Sequence, residues 1–341
     1  MKAFILMVAL TAFLMMGSNT ENVWAREIYD PLSEPVVKEK AEEGYPVGSG
    51  RMYFDLGVQF GHLDGDTTYR ISFDGGESEL EFPLDIYLFG GVFGWGYKNA
   101  QKQEKMRLEI RWLTDVSDGK EKMKDSDWFD DDASVLGVPG YSHPGKDIYS
   151  ESDIKLKARV FDVNLTYSFW PVRNVSIGPM AGYRHQFFDY DVSNTNQIGY
   201  DLYAPSYTAS VRGRTLEYEV TYRIPYFGLN SNLLLGKRFR TNLSFCYAPR
   251  ATADDKDDHV LRYKLSEANA DGHAYISNLN VNWNVMAHLY LSLGGEYMKI
   301  HTTGTQHQSF YGGPYYGVTY NVDDKITSSQ LYLYGVITYR F

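Results

Sequence analysis

From Arg51 onward the chain alternates apolar and polar residues over long stretches, the period-two pattern of strands whose two faces meet different surroundings. Phe161, Val163, Leu165, Tyr167 and Phe169 interleave with Asp162, Asn164, Thr166 and Ser168. The first set predicts a lipid-facing side and the second a lumen side. Immediately upstream the phase inverts, with Ile154, Leu156, Ala158 and Val160 alternating against Lys155, Lys157 and Arg159. Either a bulge at Val160-Phe161 or a strand leaving the membrane there produces such an inversion. Leu279, Val281, Trp283 and Val285 set against Asn278, Asn280, Asn282 and Asn284 repeat the pattern, and four inward asparagines predict a hydrated lumen. The chain closes with Leu331, Leu333, Gly335, Ile337, Tyr339 and Phe341 alternating with Tyr332, Tyr334, Thr338 and Arg340.

Short connectors at 99–105, 170–174, 236–240 and 286–288 read as periplasmic turns, and polar stretches at 64–67, 118–151, 193–210, 249–262 and 303–327 as extracellular loops. Five loops joined by four turns predict an all-β chain, a transmembrane antiparallel up-and-down barrel of about ten strands with long outer loops. So few strands leave no room for a wide pore, so any activity is expected at the extracellular rim. The first 25 residues read as a signal peptide: Lys2, an apolar run over 3–16 broken only by Thr11, then Val23-Trp24-Ala25. That run is too short for a spanning helix, which needs roughly 20 residues, and no later stretch comes close. Residues 26–50, with Pro31, Pro35 and Pro46 among charges, are an irregular extension, and 51–341 form the barrel. The expected location is a Gram-negative outer membrane, where a terminal Phe on the last strand resembles the assembly signal of such barrels.

Composition supports this over a soluble secreted β-sandwich. Aromatic residues make up 16% of the chain, 29 of them Tyr, while mean hydropathy is negative. A barrel with a polar lumen and aromatic girdles has this balance. Cys246 alone excludes an internal disulfide framework, and a net charge of -10 argues against nucleic-acid partners.

Two acidic clusters fall in the predicted outer loops. One is Asp125-Ser126-Asp127-Trp128 with the run 130–132; the other is Asp254-Asp255-Lys256-Asp257-Asp258-His259. Such runs also occur as plain solvated surface or weak calcium sites. Asp257 and His259, two apart, share one face of an extended segment, where the carboxylate can orient the imidazole and stabilise its protonated form. Asp125 and Asp127 share a face in the same way. Facing each other across the barrel mouth, the two pairs could hold a water able to attack a peptide carbonyl. No clustered His ligands suggest a metal.

These segments resemble those of the omptins, ten-stranded outer-membrane endopeptidases with a groove at the extracellular rim. Asp125-Ser126-Asp127-Trp128 is similar to the omptin Asp-x-Asp-Trp segment and Asp257-Asp258-His259 to its Asp-Glu-His segment; Met180-Ala181-Gly182-Tyr183 and Pro225-Tyr226-Phe227-Gly228-Leu229 resemble framework stretches. The resemblance implies a water-activating dyad of Asp257 and His259 facing the pair Asp125 and Asp127, peptide or protein substrates at the cell surface, and no metal or other cofactor beyond a candidate requirement for lipopolysaccharide. In a partly desolvated groove one of Asp125 and Asp127 is expected to hold a proton and donate to the developing oxyanion.

Two departures mark a distant relative. Omptins that cut beside basic residues carry a Glu and an Asp in the specificity pocket; Asp255 matches the Asp, but Tyr69 stands at the Glu position. Thr221 stands where the family has an Arg that grips lipopolysaccharide, leaving Arg223 and Lys264 as nearby candidates. Two further readings follow: a non-proteolytic omptin-like barrel serving as adhesin or structural protein, and a narrow channel.

Overall fold

The computed structural model describes residues 50–73, 75–119, 121–129, 146–200 and 207–341. The predicted signal peptide, the extension up to residue 49 and the acidic run at 130–132 lie outside the described residues.

The strands are β1 (Arg51–Phe73), β2 (Gly76–Pro83), β3 (Ile86–Lys98), β4 (Glu104–Asp115), β5 (Lys122–Phe129), β6 (Ile148–Tyr167), β7 (Phe169–Val172), β8 (Val175–Gly199), β9 (Tyr207–Leu235), β10 (Phe239–His259), β11 (Lys264–Met286), β12 (Leu289–Phe310) and β13 (Thr319–Arg340). Three strands are each interrupted once, where β2 gives way to β3, β4 to β5 and β6 to β7, so the segments make ten strands. Neighbours pair antiparallel all the way round, and β1 closes the ring against β13. Closure leaves no sheet edge, as a membrane-spanning sheet requires.

The strands are far longer than a bilayer needs. β9 has 29 residues, where about 9–11 cross the hydrocarbon. The outward residues of the lower half of β1, Met52, Phe54, Leu56, Val58 and Phe60, are exposed and apolar. Corresponding bands on the other strands include Leu165, Phe227, Leu229, Leu243, Phe245, Leu293 and Leu333. Above this band the polarity inverts. On β6, Ile154, Leu156, Ala158 and Val160 are buried while Lys155, Lys157 and Arg159 face out, and the pairing with β8 has no register shift from Asp153 to Thr166. Side-chain parity never changes there. The strand leaves the membrane at Val160-Phe161, and there is no bulge.

The interior is layered accordingly. The lower lumen holds a polar cavity of about 410 Å³ lined by Asn278, Asn280, Asn282 and Asn284, the first three of which hydrogen-bond in a ladder. A buried network closes its top: Arg184 lies 2.7 Å from both Asp162 and Glu296, and Arg111 lies 3.1 Å from Glu296. Breaking one member would strand an uncompensated charge, at a cost of roughly 3–5 kcal/mol. Above it lies a buried aromatic layer of Phe82, Phe188, Tyr190, Tyr218 and Tyr222, in which the Phe82 and Tyr218 rings stack 4.2 Å apart. A lumen closed twice over does not suit a narrow channel.

Four expected turns fall where predicted, but the outer loops are much shorter than expected. Residues 64–67 are no loop; they lie within β1, paired to β13. Their turn-like composition accommodates Gly65, whose φ is +126° and where a Cβ would approach Ser329 O to 1.9 Å. Likewise 249–259 belongs to β10, paired on both sides, and Asp125 and Asp127 are on β5. Water on the outer face above the membrane fills outward positions with charge, which removes the apolar half of the alternation used to recognise strands.

Candidate active site

The arrangement in the barrel mouth depends on a bulge. Along the lower part of β10, Ser244, Cys246 and Ala248 point inward. Between Ala248 and Ala251 the strand carries one residue more than β11, and between Tyr247 and Thr252 one more than β9. Pro249, which has no N–H to give to a ladder, sits in this bulge, one of the few places a strand tolerates proline. Because side chains alternate with period two, one extra residue exchanges the faces. Ala251, Ala253, Asp255 and Asp257 are therefore buried and His259 points the same way. Without the bulge this set would face water.

His259 Nε2 lies 2.9 Å from Asp257 Oδ2, and Asp257 is 1% exposed. Burial lowers the imidazole's pKa, against the pull of Asp257. The ring is thus neutral at pH 7, with Asp257 placed to receive the charge when it gains a proton. Across the mouth, Asp125 and Asp127 project from β5, which is held between β2 and β6. Burial, then the neighbouring Asp127, pushes Asp125 up to about 7, and its Oδ1 is buried with no hydrogen-bond partner. Both pairs and Tyr69 line one open cleft of about 890 Å³.

Asp255 does not line the cleft; it is 5% exposed one step deeper. Beside it, and missed by the sequence reading, is Asp324 on β13, 3% exposed. Neither carboxyl has a side-chain partner, and burial pushes Asp255 well up, with Asp324 as the next cause. Tyr69 accepts a hydrogen bond from Gln306 and feels Asp257, Asp255 and Asp324 electrostatically. The Glu expected at Tyr69 is absent, yet a second carboxyl is present from another strand.

Lys264, considered above as a lipopolysaccharide contact, faces inward, 7% exposed, and lines the cleft. Arg223 does point outward and is ion-paired to Asp254. Parity could have located both inward residues: counting by twos along unshifted strands from Asn278 reaches Lys264, and from Tyr332 reaches Asp324.

A closed barrel with an exposed apolar band below and a carboxylate-imidazole cleft in its mouth has the build of an outer-membrane β-barrel. The chain belongs to the omptin family, whose profile matches residues 95–311. Among solved structures it is similar to the outer membrane protease OmpT from Escherichia coli, with a TM-score of 0.71 at 16% identity over 85% of this chain and 97% of that one. The outer membrane protein OprG from Pseudomonas aeruginosa matches with a TM-score of 0.38 at 10% identity over 87% of this chain and 99% of that one. No curated protein matches the sequence.

Proposed function

We propose that the chain is an outer-membrane endopeptidase that hydrolyses peptide bonds at the cell surface with a water held between His259 and the pair Asp125 and Asp127. The observation that carries this reading is that His259 on β10 and Asp125 on β5, 134 positions apart, line opposite sides of one cleft with a neutral imidazole on one side and a protonatable carboxyl on the other. The neutral His259 accepts a proton from the water as the water oxygen bonds to the scissile carbonyl carbon, and Asp257 stabilises the resulting imidazolium. Asp125 in its protonated form donates to the developing oxyanion, and Asp127 accepts from the water. When the tetrahedral intermediate collapses, the C–N bond breaks and His259 returns its proton to the leaving amine. No metal or cofactor takes part in these steps.

Asp255 and Asp324 form an acidic floor beneath the cleft, and Tyr69 shapes its entrance. A basic substrate side chain reaching this floor would supply the positive charge that two buried carboxyls lack. The expected partners are peptides or surface proteins, with lipopolysaccharide on the outer wall.

The test is cleavage of a mixed peptide library by the refolded barrel, with and without lipopolysaccharide, beside His259→Ala and Asp127→Ala variants. Cleavage abolished in both folded variants supports the reading. A folded wild type that cuts nothing, or variants that cut as well as wild type, leaves an adhesive or structural barrel instead.

A further inference from the structure

Lys264 opens β11 immediately after the hairpin and is the register partner of His259. Its side chain is 7% exposed and reaches the cleft. An ammonium has three donors, and one is engaged, in a long 3.4 Å contact with Gln308 Oε1 on β12. Among the described residues Lys264 has no ion pair within the 4 Å that defines the others. The charged and titratable groups facing it are Asp125 and Asp127 from β5, Asp257 and His259 from β10, and Arg262 from the hairpin. Burying an ammonium costs several kcal/mol unless a partner compensates. A lysine with a purely structural role would sit against one of these carboxylates. This one keeps donors free in the space between the general base and the carboxyl pair.

We propose that Lys264 is a further catalytic residue, whose ammonium donates a hydrogen bond to the scissile carbonyl oxygen as that oxygen becomes an oxyanion. The proposal rests on the endopeptidase reading and gives the oxyanion a charged donor besides the Asp125 carboxyl. Lys264 transfers no proton. The water's proton passes to His259 and then to the leaving amine, the carbonyl re-forms as the C–N bond breaks, and the ammonium stays charged throughout. Burial lowers its pKa, and Asp257, Asp125 and Asp127 around it favour the charged form against that pull.

The experiment compares kcat and KM of the refolded full barrel with Lys264→Met, Lys264→Arg, Lys264→Gln and His259→Ala on one cleaved peptide, with folding checked by the migration of unheated samples in gels. Loss of an oxyanion donor lowers kcat by about 10²- to 10³-fold with KM changed by no more than about threefold, and the Arg variant recovers most of kcat. The His259 imidazole, titrated by NMR, moves up in the Met variant, because a positive neighbour that disfavours its protonation is gone. If the Met variant does not fold, the Gln variant decides on the same two readouts. Wild type and the Lys264 variants cutting at equal kcat, with His259→Ala inactive, overturns the role of Lys264 and leaves the protease standing. A wild type that does not cut, or an active His259→Ala, overturns both.

Discussion

Asp324 offers the clearest link between a single buried group and a measurable stability. It is 3% exposed and bonded to no other side chain, and burial moves its carboxyl from 3.8 to about 7. In the unfolded chain it ionises near 3.8, whereas the folded barrel holds the proton until about 7. Below the unfolded value both states are protonated and nothing is lost. As pH rises between the two values the unfolded state gives up its proton first, so folding stability falls, and above pH 7 the full loss is about 4 kcal/mol. Asp324→Asn has the same shape and cannot ionise. It should match wild type near pH 4 and exceed it by up to about 4 kcal/mol at pH 8, read as the urea unfolding midpoint in detergent micelles by tryptophan fluorescence. The gain in stability should come with weaker capture of basic side chains, seen as a higher KM for Lys- and Arg-containing peptides, since buried functional carboxyls trade stability for binding. An Asn variant no more stable than wild type at pH 8, or one whose advantage is the same at pH 4, would show that burial does not hold a proton on Asp324 in the barrel, and the reasoning would be wrong.

Removing Arg250 deletes the extra residue of the β10 bulge and exchanges the faces of everything beyond it. Asp257 and His259 should then face water, with cleavage lost while the barrel below still assembles; retained cleavage would contradict the role given to the bulge. Activity should follow a bell in pH: on the acid side it falls as His259, lowered by burial, gains a proton, and on the alkaline side it falls near pH 7 as Asp125 loses one. Asp125→Asn cannot lose that proton, so the alkaline limb should disappear in a kcat–pH profile.

Much of this molecule was legible in the sequence wherever one face of a strand met lipid. The alternation from Phe161 to Phe169 and the asparagine series at 278–284 gave the faces correctly, and the four short connectors fall between strands as expected. The upper barrel was not legible, because its inward face is apolar and its outward face polar, which looks like a loop when charges such as Asp254, Lys256 and Asp258 come in succession. The four residues Asp125, Asp127, Asp257 and His259 were found by their two-residue spacing, and they do meet in one cleft. Asp324 escaped because its neighbour Asp255 is 69 positions away and no local spacing connects them. Lys264 was assigned to the wall for want of parity: carried down β11 from Asn278, period two places it inside.

Two pairs acting on one water are the centre of the proposed mechanism, and a double-mutant cycle on kcat for His259→Ala, Asp127→Asn and the combined variant tests this most directly. If both pairs serve one step, the combined loss should be about that of the more damaging single change, since residues acting as a unit are grossly non-additive. If the two losses multiply, the pairs act independently, and the shared water at the centre of this mechanism does not exist.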